Sequence, residues 1–87
     1  MFPVIKFRQE YDDLVITAEV PVIDFDDCDL LLVVRYDDER HVITSPVEIT
    51  GESFPLVCRA IDHAYRSERG DFWIMKALGE LSLQMKA

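Results

Sequence analysis

Apolar residues recur at every second position in the first half of this chain, and at spacings of three and four after Gly51. A period of two marks strands, whose side chains point to alternate faces, and a period near 3.6 marks helices. Leu14, Ile16, Ala18, Val20 and Val22 alternate with Val15, Thr17, Glu19, Pro21 and Ile23, which predicts a strand with one well-buried face. Pro21 has no N–H for a ladder hydrogen bond, so that end is expected at a sheet edge or a strand terminus. Before it, Phe2 to Phe7 is a short apolar run with Ile5 and Phe7 alternating around Lys6. After it, Asp29 to Tyr36 is apolar on both faces across Leu30 to Val34, as in a central strand covered on one side by helices. Val42, Thr44 and their neighbours up to Ile49 make a further β-rich run, interrupted by Ser45-Pro46. The connections Gln9 to Asp13, Asp24 to Asp29 and Asp37 to Arg40 are short and acidic, as turns usually are. Sequential strands tend to be neighbours, so the simplest arrangement is an antiparallel meander.

Past Gly51, Phe54, Val57, Cys58, Ile61, Ala64 and Tyr65 fall on one helical face, with Arg59, Asp62, His63 and Arg66 on the other. Ser53 is expected as N-cap, Pro55 is tolerated in a first turn, and Asp62 and Arg66 stand at the favourable i,i+4 spacing. Gly70 is expected to stop this helix in a left-handed conformation, with Asp71 capping the next. In the last segment Ile74, Ala77, Leu78, Leu81 and Met85 form a helical stripe, although Leu81, Leu83 and Met85 also alternate as a strand would. A second helix is the simpler reading, because a strand there leaves a very short helix before it. The expected fold is therefore α+β: an antiparallel β-meander of three to four strands over roughly residues 2–49, then two helices packed on one face of the sheet. No internal repeat is read, and residues 1–87 are expected to form a single compact domain.

Charge changes this picture more than composition does. Half of the residues are apolar (49%) and a tenth aromatic (10%), too many for a disordered acidic tail. Eleven of the 17 carboxylates lie between Glu10 and Glu39, where Arg35 is the sole base, so that stretch carries −10. The remainder carries +2 (eight bases, six acids), and the two sum to the net −8. Such asymmetry makes a local negative potential that repels nucleic acid and attracts basic surfaces. In a meander the first and third turns share one end of the sheet. Glu10, Asp12 and Asp13 are thus expected beside Asp37, Asp38 and Glu39, while Asp24, Asp26, Asp27 and Asp29 crown the opposite end. Two accounts of the acids compete: solvated turns in which Asp suits the backbone, or a recognition surface.

Other chemistry finds little support in the residues. Asp24 to Asp29 fails as a calcium loop, since an EF-hand beginning at Asp24 would need glycine at Asp29 and glutamate at Arg35. Cys28, Cys58, His41 and His63 contain no chelating pair of the spacing structural zinc requires. Asp62 and His63 diverge by about a quarter turn on a helix, which disfavours a catalytic dyad. No glycine-rich phosphate loop exists among three glycines, and Arg69-Gly70-Asp71 reads as an interhelix turn. Arg59, Arg66 and Arg69 are too diluted by acids to form a nucleic-acid footprint. Phe72 and Trp73 suit either core packing or an exposed interface anchor. Met1 to Lys6 has no basic segment leading into a long apolar one, and no apolar run nears the roughly 18 residues of a membrane span. The expected setting is cytoplasmic with reduced thiols, without cofactor, metal, membrane or direct nucleic-acid contact.

These readings converge on a non-enzymatic acidic interaction protein. In size, charge and order of elements it resembles the small α+β proteins among phage-encoded inhibitors and bacterial immunity proteins, without a motif-level match. The resemblance implies docking of a carboxylate-rich face on a basic protein surface, including one that otherwise holds nucleic acid. The alternative is a structural or assembly subunit, such as a homodimer, in which the acids only keep the chain soluble. Its motive is the apolar surplus of Leu30 to Val34, Phe72 and Leu83.

Overall fold

Four strands and then two helices follow one another: β1 (Val4–Glu10), β2 (Val15–Val20), β3 (Leu31–Tyr36), β4 (Glu39–Thr44), α1 (Ser53–Ser67) and α2 (Trp73–Lys86). The computed structural model describes residues 4–20, 30–67 and 69–86. Asp24, Asp26, Asp27 and Asp29, with Pro21 and Cys28, lie outside the described residues. The α+β expectation holds: a four-stranded antiparallel meander in the order β1-β2-β3-β4, followed by two packed helices. The chain divides into two compact units, Met1–Ser45 and Pro46–Ala87.

In the first unit, β2 and β3 form the middle of the sheet and are its buried strands. Ile16 and Ala18, as the alternation predicts, share one face with Leu32 and Val34 of the apolar run, and all four are fully buried. The opposite face is also closed: Thr17, Glu19 and Val33 are buried there. The register explains how. Arg40 on β4 reaches Glu19 on β2 (Nη2–Oε2 3.2 Å), and the line joining them crosses Val33 on the strand between. An arginine stem laid over an apolar side chain excludes water from it while the guanidinium stays half in solvent. Arg40 and Glu39 were expected in a turn and instead open β4, because the turn ahead of them takes only two residues.

Two expectations for the edges fail for local reasons. Ile5 and Phe7 do not share a face. A bulge leaves Lys6 unpaired, so Ile5 lies opposite Glu19 and Phe7 opposite the adjacent Ala18. Ile5 is accordingly half exposed, while Phe7 joins the buried face. The strand expected to run on toward Ile49 ends at Thr44; Val47 and Ile49 are buried in the segment that follows it.

The second unit opens with a cap three residues earlier than expected. Thr50 Oγ1 accepts the Ser53 N–H (3.0 Å), and Ser53 Oγ accepts the Thr50 N–H (2.8 Å) while donating to the Glu48 carbonyl (2.6 Å). This is a capping box with Thr50 as N-cap and serine in the place usually held by glutamate. Pro55 has no N–H to return to the Gly51 carbonyl, so the regular ladder begins only at Ser53. Phe54, Val57, Cys58, Ile61 and Tyr65 are buried, and Asp62 bonds Arg66 (2.9 Å), both as predicted.

The second helix runs through Gly79 to Lys86, which settles the helix-or-strand ambiguity; Met85, expected on the buried stripe, is exposed. Gly70 is not left-handed. The Ser67 hydroxyl donates to the His63 carbonyl (2.7 Å) at the end of α1, and the positive φ falls on Phe72 (59°). The Phe72 carbonyl accepts the first helical bond from Lys76 (3.0 Å), so Phe72, not Asp71, holds the N-cap position of α2. Tyr65 and Trp73 tie the two helices together, their rings 5.9 Å apart, with Arg69 4.4 Å above Tyr65.

Burial of Cys58 has a testable consequence. Desolvation pushes its thiol from the ordinary 9.0 up to about 12. Between those values the unfolded chain loses a proton that the native state keeps. The contribution of Cys58 is therefore fully present below about pH 9 and declines as pH rises toward 12. Urea titrations are expected to give a steeper alkaline loss of stability for the wild type than for Cys58→Ala. Equal slopes would show that this thiol does not titrate differentially.

Candidate interaction site at the acidic end of the sheet

The β-ladder registers put the β1–β2 and β3–β4 connections at the same end of the sheet. Glu10, Val15, Arg35 and Arg40 form one cross-strand row there, and both connections lie just beyond it. Each is a two-residue tip. Tyr11 and Leu14 exchange hydrogen bonds around Asp12-Asp13 (2.7 and 3.4 Å), and Tyr36 pairs with Glu39 around Asp37-Asp38. With strands about 4.8 Å apart, the tips are separated by two strand spacings, roughly 10 Å.

Both tips carry the same tripeptide, Tyr11-Asp12-Asp13 and Tyr36-Asp37-Asp38. Reading the chain for long periods misses this recurrence. The signal available was three identical residues at the ends of two strand-like runs.

The six carboxylates expected at this end do not contribute equally. Glu10 belongs to β1 and is held by Arg8 on the same strand (2.6 Å). Glu39 belongs to β4, its Oε2 lying 3.4 Å from His41 Nε2, an atom that is buried and has no hydrogen bond. The His41 ring in turn stacks on Tyr36, centroids 4.7 Å apart and planes within 15°. Arg40 is engaged with Glu19, away from the tips. Asp12, Asp13, Asp37 and Asp38 form the two turn apices, and all four are exposed.

The second tip is built against backbone preference. Asp37 and Asp38 both have positive φ (53° and 61°), which defines a type I′ turn. That turn is best made by Asn-Gly. Aspartate tolerates the left-handed region less well than glycine, and two adjacent carboxylates repel. Asp38→Gly is accordingly expected to raise stability by about 1 kcal/mol, read from the urea midpoint. No gain would mean that side-chain contacts at Asp38 already offset the backbone term.

Among the described residues no group of three or more His, Cys, Asp or Glu side chains is placed to hold a metal ion. Cys58 is buried and His63 exposed on the other side of α1, so these two do not converge on one site. In the helical unit a groove of about 620 Å³ has Leu56, Ala60, Trp73 and Ala77 among its lining. Its charges are mixed, with Arg59 and Lys76 alongside Asp71 and Glu80. No described helix is long and apolar enough to cross a membrane. Comparison of the chain with family models, curated proteins and solved structures found no match.

Proposed function

We infer that this chain is a non-enzymatic, cytoplasmic interaction protein of the inhibitor or immunity type, whose paired Tyr-Asp-Asp tips dock on a basic protein surface. The observation that supports this most is the construction of the second tip. A turn whose geometry favours Asn-Gly carries Asp-Asp, next to another Asp-Asp about two strand spacings away. Solvation alone does not require four carboxylates on two adjacent apices. Partly buried tyrosines beside carboxylates also suit lysine or arginine, which offer a cation to the acid and an apolar stem to the ring. A surface that otherwise binds phosphates presents such cations in a row, so a nucleic-acid-binding protein is the favoured partner class. Asp24, Asp26, Asp27 and Asp29 belong to the same reading as a second acidic cluster.

The test is affinity capture from the native cell on immobilised protein, at low and high salt. Partners are expected to be basic and to elute with salt. Capture that is indifferent to salt would refute the electrostatic mechanism. One observation favours the alternative, an assembly subunit: Phe72, Met75 and Leu83 are exposed on or beside a single helix, α2.

A further inference from the structure

We propose that α2 is the interface of a symmetric homodimer, in which two copies of the helix cross antiparallel at Gly79. Phe72 is 80% exposed, Leu83 71% and Met75 41%. At 100° per residue Met75, Gly79 and Leu83 fall within an arc of roughly 80°, apart from the side buried through Ile74 and Leu78, and Phe72 lies just ahead of the helix as its N-cap. Met75, Gly79 and Leu83 form one i±4 ridge, the kind that interdigitates when two helices cross. At its centre, a Cβ built on Gly79 would meet nothing within 4 Å. Nothing among the described residues therefore requires glycine there, although glycine is the poorest helix former after proline. A second helix approaching closely at that point would require it.

Self-complementarity identifies the occupant. Reversing the helix about Gly79 sets Met75 opposite Leu83 of the second copy, and Phe72 opposite its Lys86. The charges from Asp71 to Lys86 read minus, plus, minus, plus at Asp71, Lys76, Glu80 and Lys86. Read backwards they are plus, minus, plus, minus. Asp71 thus meets Lys86 of the second copy, and Lys76 meets its Glu80, each within one or two residues of exact opposition. For Lys76 and Glu80, which both lie within α2, that offset is about 3 Å along the axis, within reach of a lysine. Two-fold symmetry repeats both pairs, so every charged side chain of the segment meets its opposite.

Sedimentation velocity of the full chain is the test, with circular dichroism to follow folding. The wild type is expected to dimerise reversibly below about 100 μM. Gly79→Arg is expected to stay helical and to lose association by at least about tenfold. Lys76→Glu and Glu80→Lys should each weaken the dimer, because each sets like charges together. Mixed in equal amounts, however, these two variants restore opposite charges at both positions and should form a heterodimer. If Gly79→Arg unfolds, the mixing experiment decides alone. A wild type that is monomeric at about 100 μM overturns the proposal, as does a dimer indifferent to all three substitutions or a mixture that fails to associate. The contact is drawn from α2 residues alone, so its failure leaves the reading of the acidic tips untouched.

Discussion

Replacing Arg40 by methionine is expected to lower stability by about 2 kcal/mol, a shift of roughly 2 M in the urea midpoint for a domain of this size. The loss comes chiefly from what the substitution strands. The Glu19 side chain is 9% exposed and Arg40 is its ion-pair partner at 3.2 Å. Breaking a fully buried pair costs about 3–5 kcal/mol, and the smaller figure allows for solvent around the half-exposed guanidinium. Methionine keeps much of the apolar cover over Val33, so the variant isolates the charge. Glu19→Gln should be milder, at about 1 kcal/mol or less, since an amide still accepts from Arg40. The double variant Glu19→Gln/Arg40→Met should recover part of the loss, because no unpaired charge is left on the sheet. Equal effects of the two single changes would show instead that the pair is an ordinary solvated contact worth little.

The same pair shows what a sequence can and cannot disclose. Alternation marks Ile16 and Ala18 as core, because their burial follows from the pleat itself, and the unbroken apolar run Leu30 to Val34 marks Leu32 and Val34. Glu19 and Arg40 are 21 positions apart, and their meeting depends on two strand registers together. No local pattern encodes that. The helices were legible for the opposite reason, since a 3.6 period and an i,i+4 ion pair are local. Their ends were less so. Ser53 looks like a cap until Pro55 is placed against Gly51, whereupon the box moves back to Thr50. Gly70 looks like a stop, yet Phe72 takes the positive φ. At the acidic end, clustering followed from meander topology alone. Which acids would stand at the apices did not, because it depends on each connection being only two residues long. Glu10 and Glu39 were counted with the tips and belong to strands, where Arg8 and His41 lie against them.

Converting Asp12, Asp13, Asp37 and Asp38 together to asparagine is expected to weaken binding to a basic partner by about 30-fold at low salt, or about 2 kcal/mol at roughly 0.5 kcal/mol per exposed charge. Asparagine keeps the size of each side chain and tolerates the left-handed φ of Asp37 and Asp38. The fold should therefore survive, and its stability should rise slightly as repulsion is relieved. Opposite signs for stability and affinity are the signature of a charge cluster kept for recognition. The difference between wild type and variant should vanish near about 0.5 M salt, where screening acts within roughly 4–5 Å. Most of the loss should appear in the association rate, since charges at the rim of a contact steer encounter more than they slow release. Neutralising Glu48 and Glu52, in the other compact unit, serves as the control and should change affinity far less per charge removed. If the tip variant and the control capture the same proteins equally well, the four aspartates are turn residues and no more. Position, and not net charge, decides the matter: the control and the tip variant carry carboxylates of the same kind, but only the tips align them on adjacent apices of one sheet.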